Sequence, residues 1–280
     1  LSSLPRRKLG RIAAVTFPAF GIDAFAEKPF SGNPAAVVFI DDGVEDAWRQ
    51  AVAAEFNLSE TAFVEPRGEA FGLRWFTPSV EVDLCGHATL AAAHALWESG
   101  RVAAGRDIRF ETKSGVLTAR RESAHVVLDF PSLPTRPCKP PPGLLSVLNE
   151  TPLALAENDG LYLLELDSEE TVRRASPDLA KWSALTKKGL ILTAPARRRA
   201  YDFVSRCFFP ADGIPEDPVT GSAHCAIGPY WAARLGKPVL TAYQASARGG
   251  TLLVRVKEGR VELGGRAFTA WSGSLRRPTP

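Results

Sequence analysis

Two segments of the chain, residues 74–88 and 206–223, repeat one pattern. The first reads Arg74-Trp75-Phe76-Thr77-Pro78, then Glu81-Val82-Asp83-Leu84-Cys85-Gly86-His87-Ala88. The second reads Arg206-Cys207-Phe208-Phe209-Pro210, then Glu216-Asp217-Pro218-Val219-Thr220-Gly221-Ser222-Ala223. Each is an R-x-F-x-P strand end, an acidic turn and a glycine that opens an apolar stretch. Residues 86–98 and 221–235 are Ala-rich and nearly free of charge, which predicts two helices buried inside their surroundings rather than lying on a surface. Such a duplication favours two similar lobes, and 280 residues suffice for two modest cores. A helix start carries unpaired N–H groups and the positive end of the macrodipole, and glycine lets a ligand approach that backbone closely. Two such starts facing one cleft would make an anion site with two jaws.

The pattern between the repeats predicts an α+β chain with barrel-like sheets around the two helices. Strands are expected at 15–20, 22–25, 34–40, 61–64, 71–76, 108–112, 115–119 and 126–130, with a turn at Phe30-Ser31-Gly32-Asn33-Pro34. Residues 45–56 have apolar positions at helical spacing and a charged face, and Asn57 can end that helix. The six prolines between 131 and 142 are expected to form neither helix nor ladder, so this stretch reads as a linker. Strands resume at 160–166, 189–193 and 201–209, and a hairpin at 251–256 and 260–263 turns through Lys257-Glu258-Gly259. The expected organisation is an N-terminal lobe over 12–130, the linker 131–142, a C-terminal lobe over 143–264, and a final strand within 265–272 that can return to the N-terminal lobe.

A hydrophobic content of 45% with 23% charged residues is that of an ordinary globular protein. The net charge of +3 is spread along the chain, which argues against nucleic acid as the partner. No apolar run nears the roughly 20 residues that cross a bilayer, so no membrane partner is expected. Cys85, Cys138, Cys207 and Cys225 show neither CxxC spacing nor pairing with histidine, which fits a reducing, cytoplasmic setting and no structural zinc. No GxGxxG follows a strand, so no cofactor is expected. The basic opening, residues 1–11, reads as a tail, with an organellar leader as the alternative. The run Arg197-Arg198-Arg199 reads as a solvated loop.

Moving a proton between carbons requires a poised carboxylate, thiol or imidazole, together with donors for the substrate's own carboxylate. Glu60 lies where an amphipathic helix gives way to an apolar strand, either as a partly desolvated acid/base or as a surface residue of the turn. His87 and Ser222 hold equivalent places directly after Gly86 and Gly221 and would face the cleft. Asp217 either contacts substrate, orients His87 or caps the helix. His224 is a second candidate near the same helix start. Cys85 and Thr220 precede the two glycines. A two-base racemase needs a thiol at both places, and threonine cannot serve as the second, so Cys85 reads as a small buried residue.

Five motifs bring these residues together: Phe30-Ser31-Gly32-Asn33-Pro34-Ala35-Ala36-Val37, Asn57-Leu58-Ser59-Glu60-Thr61-Ala62-Phe63-Val64, Asp83-Leu84-Cys85-Gly86-His87-Ala88-Thr89, residues 216–224, and residues 243–250. In this order, over residues 14 to 272, the chain resembles the phenazine-biosynthesis PhzF-like family. The resemblance implies the diaminopimelate epimerase-like fold, homodimers, and cofactor-free isomerisation of a small carboxylate substrate. It implies Glu60 as the proton-moving glutamate, with His87, Asp217 and Ser222 contacting substrate. Gly86 and Gly221 would supply backbone donors, with Asn33 and Cys85 among the substrate-binding positions. The departure is Thr220, which stands where related racemases carry a second cysteine.

Overall fold

The computed structural model describes residues 16–41, 43–197 and 199–276. The basic opening, Val15 of the first expected strand and Arg198 of the arginine run lie outside the described residues. The strands join into one sheet of eighteen, curled so that each half wraps a helix. Among the described residues five α-helices accompany it: α1 (Asp46–Phe56), α2 (Gly86–Glu98), α3 (Glu169–Arg174), α4 (Leu179–Leu185) and α5 (Gly221–Leu235). No helix among the described residues is long and apolar enough to cross a membrane.

The duplication extends beyond the repeated motif to the topology. In the first half Asn33–Phe39 runs parallel to Glu60–Arg67, which pairs antiparallel with Ala70–Phe76. In the second half Leu161–Glu165 runs parallel to Gly189–Pro195, which pairs antiparallel with Phe203–Phe209. A short acidic strand follows in each, Glu81–Val82 or Ile214–Asp217, and then the central helix. The strand after that helix runs parallel to the R-x-F strand, Ile108–Thr112 in one half and Val239–Gln244 in the other.

The repeated arginine has one task in both copies. Arg74 donates Nε and Nη2 to the two carboxylate oxygens of Glu81 at 2.6 and 2.8 Å, and Arg206 does the same to Glu216 at 2.7 and 2.8 Å. This two-pronged bond fixes the acidic turn against the strand, and so sets where the following helix begins. Both central helices are buried, as their uniform apolar sequence requires. Leu90 and Leu96 of α2 have no exposed surface, and burying each contributes about 1.5–3 kcal/mol.

Helix α5 runs through Pro229. Proline has no N–H for the carbonyl four residues earlier. The backbone N–H of Leu133 donates to that carbonyl, Cys225, at 3.0 Å, so the helix continues without an orphaned acceptor. The proline-rich stretch is therefore anchored to α5. It also contains a two-residue strand, Arg136–Pro137, paired with Ala156 and Glu157 at the sheet edge, where a missing N–H is tolerated. Strands Ala154–Glu157 and Val239–Gln244 and helices α3 and α4 add to the elements expected from sequence. The opening strand is one element, Thr16–Ala24, with an irregularity at Gly21/Ile22 instead of a break.

Two seams join the halves. His125–Pro131 pairs antiparallel with Arg260–Gly265, and the last strand, Ala267–Arg276, pairs with Thr16–Ala24. A loop of the second half also clasps the first. Arg248 binds Asp23 at 2.6 Å and donates to the Gly32 carbonyl at 2.8 Å, while the Gly32 N–H donates to the Gly249 carbonyl at 2.7 Å.

Candidate functional site

The two helix starts meet where the halves join. A methyl group placed on Gly86 would lie 3.2 Å from Gly221 Cα, so any side chain there would press on backbone. Glycine at both places lets the two positive helix ends approach one another. Cys85 and Thr220 are the residues before each first turn, both extended.

Around this junction a buried polar chain runs from one half to the other. On the second-half side, the Gln244 side chain receives the Thr220 N–H at 2.9 Å and donates to the Asp217 carbonyl at 2.7 Å. The Thr220 hydroxyl donates to one carboxylate oxygen of Asp217, and Asn33 Nδ2 donates to the other at 2.8 Å. Asn33 also donates to the Val219 carbonyl at 2.9 Å, and its Nδ2 lies 3.2 Å from His87 Nδ1. Having acceptors on all sides fixes which end of the Asn33 amide points there. On the far side of the imidazole, His87 Nε2 lies 3.1 Å from Glu60 Oε2. Those two atoms are close but lack hydrogen-bond geometry, and each is buried without a hydrogen-bond partner. Cys85 Sγ lies 3.5 Å from His87 Nδ1.

Burial governs the charges. Glu60 is pushed up to about 8, first by loss of water and then by the nearby Asp217, with a hydrogen bond to Cys85 opposing the shift. Burial takes His87 down to about 3, so its imidazole is neutral at neutral pH. Asp217 is raised to about 6 by burial, against the hydrogen bonds from Thr220 and Asn33 that favour its charged form. The Cys85 thiol is driven well above its usual range, first by burial and then by Glu60. The close approach of His87 and Glu60 at neutral pH is thus between two neutral groups and is no salt bridge.

The stability of the fold should therefore depend on pH through Glu60. Folded Glu60 holds its proton up to about 8, whereas in the unfolded chain it loses it near 4.5. Between those values the folded state binds more protons, so stability from this group is present at low pH and is lost as pH rises toward 8. Glu60→Gln removes that slope. Urea denaturation at pH 6 and pH 9 should show the variant gaining on the wild type by a few kcal/mol, since each tenfold difference in proton affinity between the folded and unfolded states is worth about 1.4 kcal/mol. An equal difference at both pH values would show that Glu60 is not buried as described.

Glu60, His87, Asp217, Asn33 and Cys85 are brought together, with Gly86 and Gly221 at the centre. Ser222 is placed differently. It is exposed on the first turn of α5, on the rim of a hollow of about 400 Å³ whose other walls include Leu133, Asn158, Leu161 and Phe209. His224 is fully buried behind the helix start, its Nδ1 2.8 Å from the Thr220 carbonyl and its ring stacked near Phe203.

The halves differ where it matters chemically. Glu60 stands opposite Ala35 in its ladder, and the matching residue of the second half, opposite Leu161, is Gly189. A side chain at Gly189 would strike the Phe209 ring at 2.4 Å. One half therefore carries a carboxylate at this place and the other an aromatic face.

A family model described as phenazine biosynthesis-like protein (PhzC-PhzF) matches residues 22–273. The chain belongs to this family. An uncharacterised isomerase of Halalkalibacterium halodurans is 47% identical over 262 residues, covering 93% of this chain and 99% of the relative. The crystal structure of a PhzF-family phenazine biosynthesis protein from Enterococcus faecalis matches with a TM-score of 0.89 at 41% identity, over 94% of this chain and 100% of that one. A hydroxyproline epimerase from Agrobacterium vitis shares the fold at 14% identity, with a TM-score of 0.61 over 95% of this chain and 94% of its own.

Sequence reasoning missed Gln244 and the bridging part of Asn33. Both sit inside quoted motifs, yet their roles depend on partners distant in sequence. The Asn33 contact to Asp217 spans 184 positions. No signal within the segment marked Gln244, whose full burial in a strand, and hence its need for partners, only the fold shows. Among the described residues, Glu60, Cys85 and His87 are also the group of acidic, thiol and imidazole donors close enough to share an ion.

Proposed function

We propose that this protein is a cofactor-independent isomerase that shifts a proton within a small cyclic or unsaturated carboxylic acid, with Glu60 as acid and base. The observation that carries the reading is the Glu60 carboxyl group. It is buried, raised to about 8, and its Oε2 has no hydrogen-bond partner although it sits beside a neutral imidazole. A carboxyl poised near working pH can both take and return a proton.

In this mechanism the substrate carboxylate lies against the first-turn amides at Gly86 and Gly221, whose dipoles favour an anion. Ionised Glu60 removes a proton from one carbon. The electron pair left behind spreads through the substrate's conjugated system, and the same Glu60, now protonated, delivers the proton to another carbon. Atoms and charge balance without an external reagent. Neutral His87, with Asn33 and Asp217 behind it, packs beside the Glu60 carboxyl and lends Nε2 to the substrate. Ser222 meets the part of the substrate that extends into the hollow over Phe209. The family resemblance supports a homodimer, which the mechanism does not require.

The test is a panel of small cyclic and unsaturated carboxylic acids incubated with the protein in deuterated water and read by mass spectrometry. One or more should take up deuterium, at a rate that rises with pH until about 8 is passed, as Glu60 ionises. Uptake should persist after the protein has been treated with a chelator and dialysed. Dependence on an added metal, or a rate that falls over this pH range, would refute the reading.

A further inference from the structure

We infer that the hollow beside Ser222 selects the substrate: a monocarboxylic acid whose apolar body lies over Phe209, with dicarboxylic acids turned away. The inference rests on the isomerase reading only in taking the substrate's carboxylate to sit at the two helix starts.

The duplication accounts for the hollow. Glu60 has its counterpart in Gly189, and His87, directly after Gly86, has its counterpart in Ser222, directly after Gly221. The second half thus carries small residues where the first carries a carboxyl and an imidazole. The Phe209 ring takes the place next to Gly189, and open space of about 400 Å³ remains beside Ser222, within the range that holds a small ligand. Ser222 also ties this space to the helix starts. Its backbone nitrogen would lie 3.7 Å from a methyl group on Gly86, at the junction of the halves, while the residue itself lines the hollow.

The walls are fixed before any ligand arrives. Asn158 Oδ1 accepts from the N–H groups of Gly160 and Leu161 at 3.0 and 3.1 Å, and its Nδ2 donates to the Leu133 carbonyl at 3.1 Å. The Leu133 N–H is in turn held by the Cys225 carbonyl at 3.0 Å. Binding to walls already ordered loses little to entropy. Leu133, Leu161 and Phe209 make the surface apolar, and Leu133 is 42% exposed, so a ligand body would cover apolar surface now facing water. Among the described residues that line the hollow, Asp159 is the one ionisable side chain. A second substrate carboxylate would lose water there, meet a like charge and find no cation to pair with, which discriminates against dicarboxylates.

The test titrates acetate, hexanoate and adipate into isotope-labelled protein and follows its backbone amide signals by NMR. Each buried methylene is worth roughly fourfold in affinity, so hexanoate should bind at least about tenfold tighter than acetate even if its chain is only partly covered. Adipate, the same length with a carboxylate in place of the methyl, should lose that gain. Asp159→Asn should restore part of it for adipate, and Leu133→Lys should reverse the order so that adipate binds tighter than hexanoate. Acetate should bind both variants as it binds the wild type, which checks that they are folded. Hexanoate no tighter than acetate, adipate equal to hexanoate in the wild type, an order unmoved by Leu133→Lys, adipate unmoved by Asp159→Asn, or shifts gathered away from residues 132–134, 158–161 and 222–223 would each overturn the proposal. Binding needs no proton transfer, so Glu60→Gln should show the wild-type order. Absence of deuterium exchange with this order intact would sink the isomerase reading alone, and exchange without the order would sink the selecting hollow alone.

Discussion

Glu60→Gln should abolish deuterium exchange while carboxylate binding stays almost intact. The amide keeps the shape of the carboxyl but cannot accept a proton, and a general base commonly contributes on the order of a hundred- to ten-thousand-fold in rate. Cys85→Ala should cost far less, because the thiol is held in its neutral form by burial and by Glu60 beside it. The second half offers no thiol in its place, since Thr220 stands there with its hydroxyl donated to Asp217. Exchange rates and binding titrations on the two variants separate the cases. A Cys85→Ala protein as inactive as Glu60→Gln, with substrate inverted at a stereocentre, would establish a thiol-dependent epimerase instead.

A large loss of stability is expected from Gly250→Ala, outside the reacting groups. A methyl group there would sit 2.4 Å from Val219 Cγ2 and 2.6 Å from the Phe25 carbonyl oxygen. Val219 cannot retreat freely, because its own carbonyl receives Asn33 at 2.9 Å. Phe25 is held too, its carbonyl accepting from the Thr251 N–H at 3.0 Å. Overpacking of this kind costs about 1–3 kcal/mol, and contact with fixed backbone places the variant at the upper end. Gly105→Ala is the control. Nothing lies within 4 Å of the added methyl there, so the change should stay within about 0.5 kcal/mol. Urea midpoints for the two variants decide the matter, and an unaffected Gly250→Ala would show that the clasp yields easily.

What could be read from the sequence follows from how local each cause is. The helices at 86–98 and 221–235 could be read because propensity, absence of charge and repetition agree. Pro229 lies inside the second, and Leu133, far along the chain, supplies the donor that the proline lacks. Helices α3 and α4 were short, although each carried a legible start: Ser168 accepts from the Thr171 N–H and Asp178 from the Lys181 N–H. The strand Val239–Gln244 had no comparable marker, and its place is fixed by pairing with Phe203–Phe209 and Gly250–Lys257. In the site, Glu60, His87 and Asp217 stood out as reactive groups within motifs. That Asn33 and Gln244 tie them across the halves depends on tertiary contact, which no single segment encodes. The exposed position of Ser222 could not be read either, since the repeat made it look equivalent to the buried His87.

The pairing of Thr16–Ala24 with Ala267–Arg276 has a consequence for how the molecule is made. Among the described strands Thr16–Ala24 is made first, and it waits for residues 267–276 before one of its two neighbours exists. Until then the first half has an open edge, the kind of unpaired strand that recruits other chains. So late a long-range pairing also raises contact order and slows folding. Glu60 and His87, although encoded early, acquire Asp217 and the Gln244 support only when the later half has docked. A chain cut short of Ala267–Arg276 would thus leave Thr16–Ala24 as an edge open to aggregation.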